Sequence, residues 1–445
     1  MRKFTVILLM IAVLLTAVPL AFSRGQAETE EEEEVLVFED KAPEEYEGTI
    51  VDWRHSGQAL WFIENFEEVY PNVEVKHEIA ATTSPEYTQK TLSAASSGVG
   101  APDIFTAWSM TIERVKESGY WENLSAPPYN AEELVDDLVP YTVEVGRDKD
   151  GNIRGLSYQA TIGGMYYRRS LAKEYFGTDD PEEIGKIFST LDGMIEAGKI
   201  INEKSNGEVS LISRFDDLRP MILANREEGW VNENNELVID PKVYEYYDIA
   251  KEIRDLDLSA EAKFPSPPFF ATMQNKTVFA YFLPTWGLNF VIEPNAPETA
   301  GDWAVTNAPM PFFRGGIWMG IYSGSENKEL AWEYMKYTIF DEENAFKMGT
   351  ERGFFVTLIP VQQRIAEEVR SGKAVEFMGG QQPYTYWQQH IEDINYKILT
   401  RYDNIFEDFL DNSVESYLTG RRTKEQAIKD LKADAKNAFP EIIVD

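Results

Sequence analysis

The sequence predicts an α/β protein folded as two lobes around a cleft, and three observations carry that prediction. Short β-rich runs alternate with amphipathic stretches from about residue 49 onward, the rhythm of βαβ units and a mostly parallel sheet. The alternation resumes later with longer helices, so a single small sheet does not account for it. No flexible linker separates the two runs, and lobes without one are joined by several short crossings, which leaves a cleft between them. The length of 445 residues suits two or three domains of roughly 100–200 residues each.

In chain order, Arg2 and Lys3 precede an apolar run over residues 4–22 that ends among small residues. This pattern describes a secretory signal peptide over residues 1–23, cleaved after Ser23 or Ala27, with an uncleaved anchor as the alternative. Residues 24–47 read as an acidic disordered tether, because the almost continuous Glu of residues 28–34 repels itself. Folded structure is expected to begin near Gly48. A β-rich run over 49–53 ends in polar Arg54-His55-Ser56-Gly57. Leu60, Ile63, Phe66 and Val69 then fall at helical spacing, and Tyr70-Pro71-Asn72 stops the helix. Residues 73–79 alternate as a half-buried strand does. A helix over 85–97 closes at Gly98 and Gly100, followed by a short strand over 102–105 and a helix over 112–118. Further amphipathic helices are expected over 189–202, 242–256 and 328–340. A strand over 277–282 runs into Leu283-Pro284-Thr285-Trp286-Gly287. Residues 387–439 read as mainly helical, with Gly420 separating two helices.

Composition narrows the function. There are 76 Asp and Glu against 42 Lys and Arg, a net charge of −34, which excludes a substantial nucleic-acid surface and disfavours anionic membranes. The absence of Cys removes disulfides, thiolate metal sites, cysteine nucleophiles and the acceptor for a thioether-linked lipid. Three His argue against a multi-histidine metal centre, and no cofactor or metal is expected. The sequence contains neither a Gly-rich phosphate loop nor G-x-S-x-G nor H-E-x-x-H. Among 76 acids a glycosidase-like pair arises by number alone, so counting does not decide for or against one.

The aromatic residues are more informative. Trp53, Trp108 and Trp286 fall at the ends of expected strands, where open α/β sheets bind ligands, beside polar His55, Ser109 and Thr285. Each alone is compatible with core; together they favour a site where an indole covers the apolar face of a sugar ring. Arg314-Gly315-Gly316-Ile317-Trp318 sets glycines beside a Trp, allowing close backbone approach to a ligand, or else a tight turn with a core Trp. The segment over 381–389 is dense in amides and aromatics, which suits a polyhydroxylated neutral ligand or an ordinary polar loop entering a helix.

These segments, taken in order over nearly the whole chain, resemble the extracellular solute-binding proteins of bacterial ABC importers, in particular the carbohydrate-binding group that includes maltose-binding protein. The resemblance runs through the strand and Trp at 49–53, Phe66-Glu67-Glu68-Val69-Tyr70-Pro71-Asn72-Val73 and Gly100-Ala101-Pro102-Asp103-Ile104-Phe105. It continues through residues 155–171, Ala308-Pro309-Met310-Pro311, residues 327–335 and residues 418–427. It implies a class II-like periplasmic binding fold, or Venus flytrap, with lobe 1 formed by 48–158 and 317–353 and lobe 2 by 159–316 and 354–445. It implies a binding protein rather than an enzyme, a monomer, that takes a mono- or oligosaccharide and delivers it to ABC permease subunits. The missing Cys resembles the freely periplasmic members rather than the lipid-anchored ones. Ligand contacts carried over by position are Trp53, His55 and Ser56; Trp108 and Ser109; Tyr158 and Thr161; Trp286; Gly316 and Trp318; and Tyr386 and Trp387. Thr161 stands where relatives place an acid, which leaves the ligand open. A polyamine or other cationic or peptide solute, a secreted polysaccharide hydrolase or lyase, and a surface scaffold are the other readings.

Overall fold

Among the described residues eight strands form two sheets, one in each lobe. In the structure, a computed structural model, residues 37–39, 41–54, 59–79 and 84–444 are described. The signal-peptide reading, the tether to residue 36, His55 and Ser56 lie outside the described residues. The strands are β1 (Gly48–Arg54), β2 (Val73–Ile79), β3 (Ile104–Trp108), β4 (Leu156–Ser157), β5 (Gly163–Arg168), β6 (Ala280–Pro284), β7 (Trp303–Thr306) and β8 (Ile317–Ile321). One sheet has the order β2-β1-β3-β8-β4 and the other β6-β5-β7.

The expected mostly parallel sheet is only partly found. β1 runs parallel to β2 and β3, but β8 is antiparallel to β3 and β4, and β5 is antiparallel to β6 and β7. The reason is the connectivity. β8 re-enters the first sheet from the second lobe, so it meets β3 from the opposite end.

Each sheet is covered by helices that bury an apolar face against it. In the first lobe Ile50, Phe62, Phe66, Ile104, Trp121 and Met319 are almost fully buried in one core. Burying side chains of this size contributes roughly 1.5–3 kcal/mol each. In the second lobe Met165, Tyr246, Phe279 and Phe406 centre one core, and Met273, Tyr281 and Trp303 centre another. Caps fix several helix ends, as the sequence chemistry requires. The Gly193 N–H donates to Thr190 Oγ1 at 3.0 Å, and Thr423 and Gln426 satisfy each other's backbone N–H at the start of Lys424–Ala438. Among the described residues no helix is long and apolar enough to cross a membrane.

Two expectations are corrected by the packing. Residues 41–47, read as tether, belong to the fold: Tyr46 is buried in the first core and Lys41 Nζ pairs with Glu329 at 2.9 Å. Phe38 also lies edge-on to Tyr129 at 5.4 Å, because aromatic surface outweighs the local acidity. Phe354, Phe355, Val356, Leu358, Val361 and Ile365, assigned to lobe 2 from the sequence, pack in the first core.

The lobes are joined where residues 157–163 run beside two other segments. The Ala160 N–H donates to Phe355 O at 2.8 Å and the Thr357 N–H to Tyr158 O at 3.2 Å. Further along, the Gly163 N–H donates to Phe312 O at 2.7 Å and the Arg314 N–H to Thr161 O at 3.2 Å. These ladders satisfy buried backbone groups that a bare crossing would leave unpaired.

Candidate functional site

A cavity of about 400 Å³ lies between the lobes, walled by the crossing segments. From the first lobe come Trp108, at the end of β3, with Ser109, Met110 and Phe354. Trp286, just past β6, and Phe264 and Phe290 come from the second. Gln159 and the Arg314–Gly315–Gly316–Ile317 stretch form the back.

Local chemistry explains how these groups are held. The Thr111 N–H donates to Trp108 O at 2.9 Å, a turn that presents the half-buried indole at the strand end. Trp286 Nε1 donates to Arg314 O at 3.1 Å, which fixes the second indole to the crossing. Gly315 and Gly316 have φ of +80° and +97°, the region where glycine is unstrained. A Cβ on Gly316 would lie 2.8 Å from the Trp318 ring, so no larger residue fits that turn. Phe290 and Phe354 pack at 5.4 Å across the lobes.

Two polar side chains face this cavity without a partner. The Gln159 amide and the Arg314 guanidinium make no hydrogen bond or ion pair among the described residues, although Gln159 is buried and Arg314 half-buried. Arg314 stands over the Phe264 ring at 5.5 Å. Burial pulls its guanidinium down from the ordinary value, and nearby Arg219 adds to that effect. Among the described residues no Asp or Glu lines the cavity.

Of the residues read from the sequence, Trp108, Ser109, Trp286 and Gly316 come together here. Trp53, Tyr158 and Trp318 do not line the cavity; they belong to the first core. Trp53 lies under Lys90 Nζ at 4.3 Å, Tyr158 packs on Phe62 and Arg54, and Trp318 Nε1 donates to Thr142 O at 2.7 Å. Thr161 is fully buried behind the cavity, with an Oγ1 that has no partner. Trp387 is buried in the first core, while Tyr386 lines a separate recess of about 600 Å³ beside β7. Among the described residues that recess holds no Trp, so the interlobe cavity is the better match to a stacking ligand. Gln159, Phe264, Phe290 and Arg314 were missed. Arg314 was within reach, since it opens the glycine motif; Phe264 and Phe290 carry no sequence mark that separates them from core.

Several solved structures share this fold. An extracellular solute-binding protein of family 1 superposes with a TM-score of 0.76 at 17% identity, over 88% of this chain and 99% of that one. The galacto-N-biose-/lacto-N-biose I-binding protein of an ABC transporter from Bifidobacterium longum, in complex with lacto-N-biose, gives 0.71 at 14% identity over 91% and 100%. The GacH receptor of Streptomyces glaucescens, solved unliganded and with acarbose, gives 0.70 at 17% identity over 90% and 100%. No curated protein sequence matches the chain. The family model for bacterial extracellular solute-binding proteins matches residues 61–376, well over half of the chain. This protein therefore belongs to the bacterial extracellular solute-binding proteins, a family that binds its substrates rather than converting them.

Proposed function

We propose that the chain binds a mono- or oligosaccharide in the interlobe cavity and delivers it to the permease of an ABC importer. The observation that carries this is the pairing of Trp108 and Trp286, one from each lobe, around a cavity with Ser109 and Gln159. Indole faces cover the C–H face of a sugar ring, and amide and hydroxyl groups satisfy its hydroxyls. Two structurally similar proteins were solved with acarbose and with lacto-N-biose, which supports a sugar ligand here. A signal peptide, a periplasmic location and a monomeric state complete the reading; the extracellular family supports export.

A polyamine is the weaker reading. Cation sites are built from carboxylates and aromatics, and among the described residues this cavity has the aromatics, no carboxylate and one Arg. The test is a titration of intrinsic Trp fluorescence with sugars, polyamines and short peptides. A saturable change with a sugar is expected, and in Trp286→Ala the affinity should fall at least about tenfold, as for a buried aromatic anchor. A response to polyamine or peptide with silence from every sugar overturns the proposal.

A further inference from the structure

We infer that the ligand is an acidic sugar of the uronate class and that Arg314 pairs with its carboxylate. The inference rests on the sugar reading above and adds the charge of the ligand to it.

Among the described residues Arg314 is the only charged side chain lining the cavity, in a chain with 76 acids. The charges around it are already engaged. Arg219 pairs with Glu407 at 2.9 Å and with Asp411, and Arg214 pairs with Asp216 at 3.0 Å. Asp217 accepts from Ser213 and from the Arg214 N–H, not from Arg314. Burial, with Asp216 adding, pushes its carboxyl up to about 7, so it is in part uncharged near neutral pH. Arg314 is left as a half-buried cation with no ion pair among the described residues. A guanidinium does not lose its proton to escape this, so an anion arriving in the cavity relieves a cost that a neutral ligand leaves in place.

The backbone fixes where that anion meets the protein. The Arg314 N–H is held by Thr161 O, and Arg314 O holds the Trp286 indole, so cation and stacking surface are parts of one rigid unit. A sugar ring lying on Trp286 carries its acid group at the ring edge, beside this unit. The planar guanidinium matches a carboxylate with two parallel hydrogen bonds. One cation, with no second Lys or Arg in the lining among the described residues, suits a monoanion, whereas a phosphate ester would bring a second charge with no second cation to meet it.

The experiment is isothermal titration of the purified full chain with galacturonate, glucuronate and their disaccharides. Each is compared with its neutral parent and its methyl ester, with galactose 6-sulfate as the sulfate arm. At least one uronate is expected to bind about tenfold or more tightly than its methyl ester, the scale of a charge-assisted pair. Arg314→Gln should erase that difference and Arg314→Lys should keep part of it, with circular dichroism showing both variants folded. Raising salt should narrow the gap. Equal affinity for acid and ester, a preference for the sulfate, or a preference that survives in Arg314→Gln overturns this inference while leaving the sugar reading intact. Silence from every sugar, acidic or neutral, overturns both.

Discussion

Asp403 shows how burial sets the behaviour of a single carboxyl. It is 4% exposed, faces Arg226 at 3.4 Å and accepts from the Thr400 N–H, yet burial pushes it up to about 7. The folded chain then holds this proton more tightly than the unfolded chain, whose Asp titrates near about 4. Its contribution to stability is present in full below pH about 4 and is lost as pH rises through about 7. Urea midpoints at pH 5 and pH 7.5 should differ less in Asp403→Asn than in the parent chain; an unchanged difference would show that Asp403 does not titrate in this range. The residue scale also shows what the sequence hid. Trp53 and Trp108 both stand at the ends of strands, but the register sets Trp53 beside the core residue Phe105. Trp108 lies three positions beyond Phe105 on the same strand, so it points to the other face. Only strand pairing separates a core Trp from a cleft Trp, and pairing is not written locally.

At the scale of elements, β7 is an edge strand closed by a side chain. The Val305 N–H donates to Gln381 Oε1 at 2.9 Å, and Gln381 Nε2 donates to Val305 O at 2.8 Å, so one amide imitates a neighbouring strand. Gln381→Ala leaves both backbone groups without that partner and should cost roughly 1–3 kcal/mol in urea unfolding. No change in the midpoint would mean that water replaces the amide at no cost. The same segment explains a partial reading of the sequence. Its amides suited a polyhydroxylated ligand by type, yet Gln381 serves β7 and Gln382 caps the helix Pro383–Gln389 and donates to Val369 O. Local period was legible where an element is long and regular: the helix expected over 328–340 is Lys328–Phe340. Strand direction was not, because it follows from which lobe the chain returns to. The strand expected over 277–282 is found as Ala280–Pro284, shifted toward the crossing whose backbone it pairs with.

For the whole molecule, the sequence disclosed two lobes and no loose linker, and the crossings supply the mechanics. A ligand that touches Trp108 on one lobe and Trp286 on the other favours the closed state by its differential contacts. Small-angle scattering should record a smaller radius of gyration with a saturating sugar, and no change would argue against closure. At about 100 times its Kd the same sugar should add roughly 2.7 kcal/mol to stability, visible as a higher Tm. The net charge of −34 has a different meaning at this scale than in composition alone. Among the described residues none of the acids lines the cavity, so the net charge is no measure of the charge at the cavity wall. The laterally bonded crossing has one further consequence. Gln159 and residues 314–317 belong to the bonded crossing segments and also line the cavity, so part of the cavity wall is the strap that joins the lobes. A substitution that shifts this strap therefore moves the wall of the cavity and the joint between the lobes together.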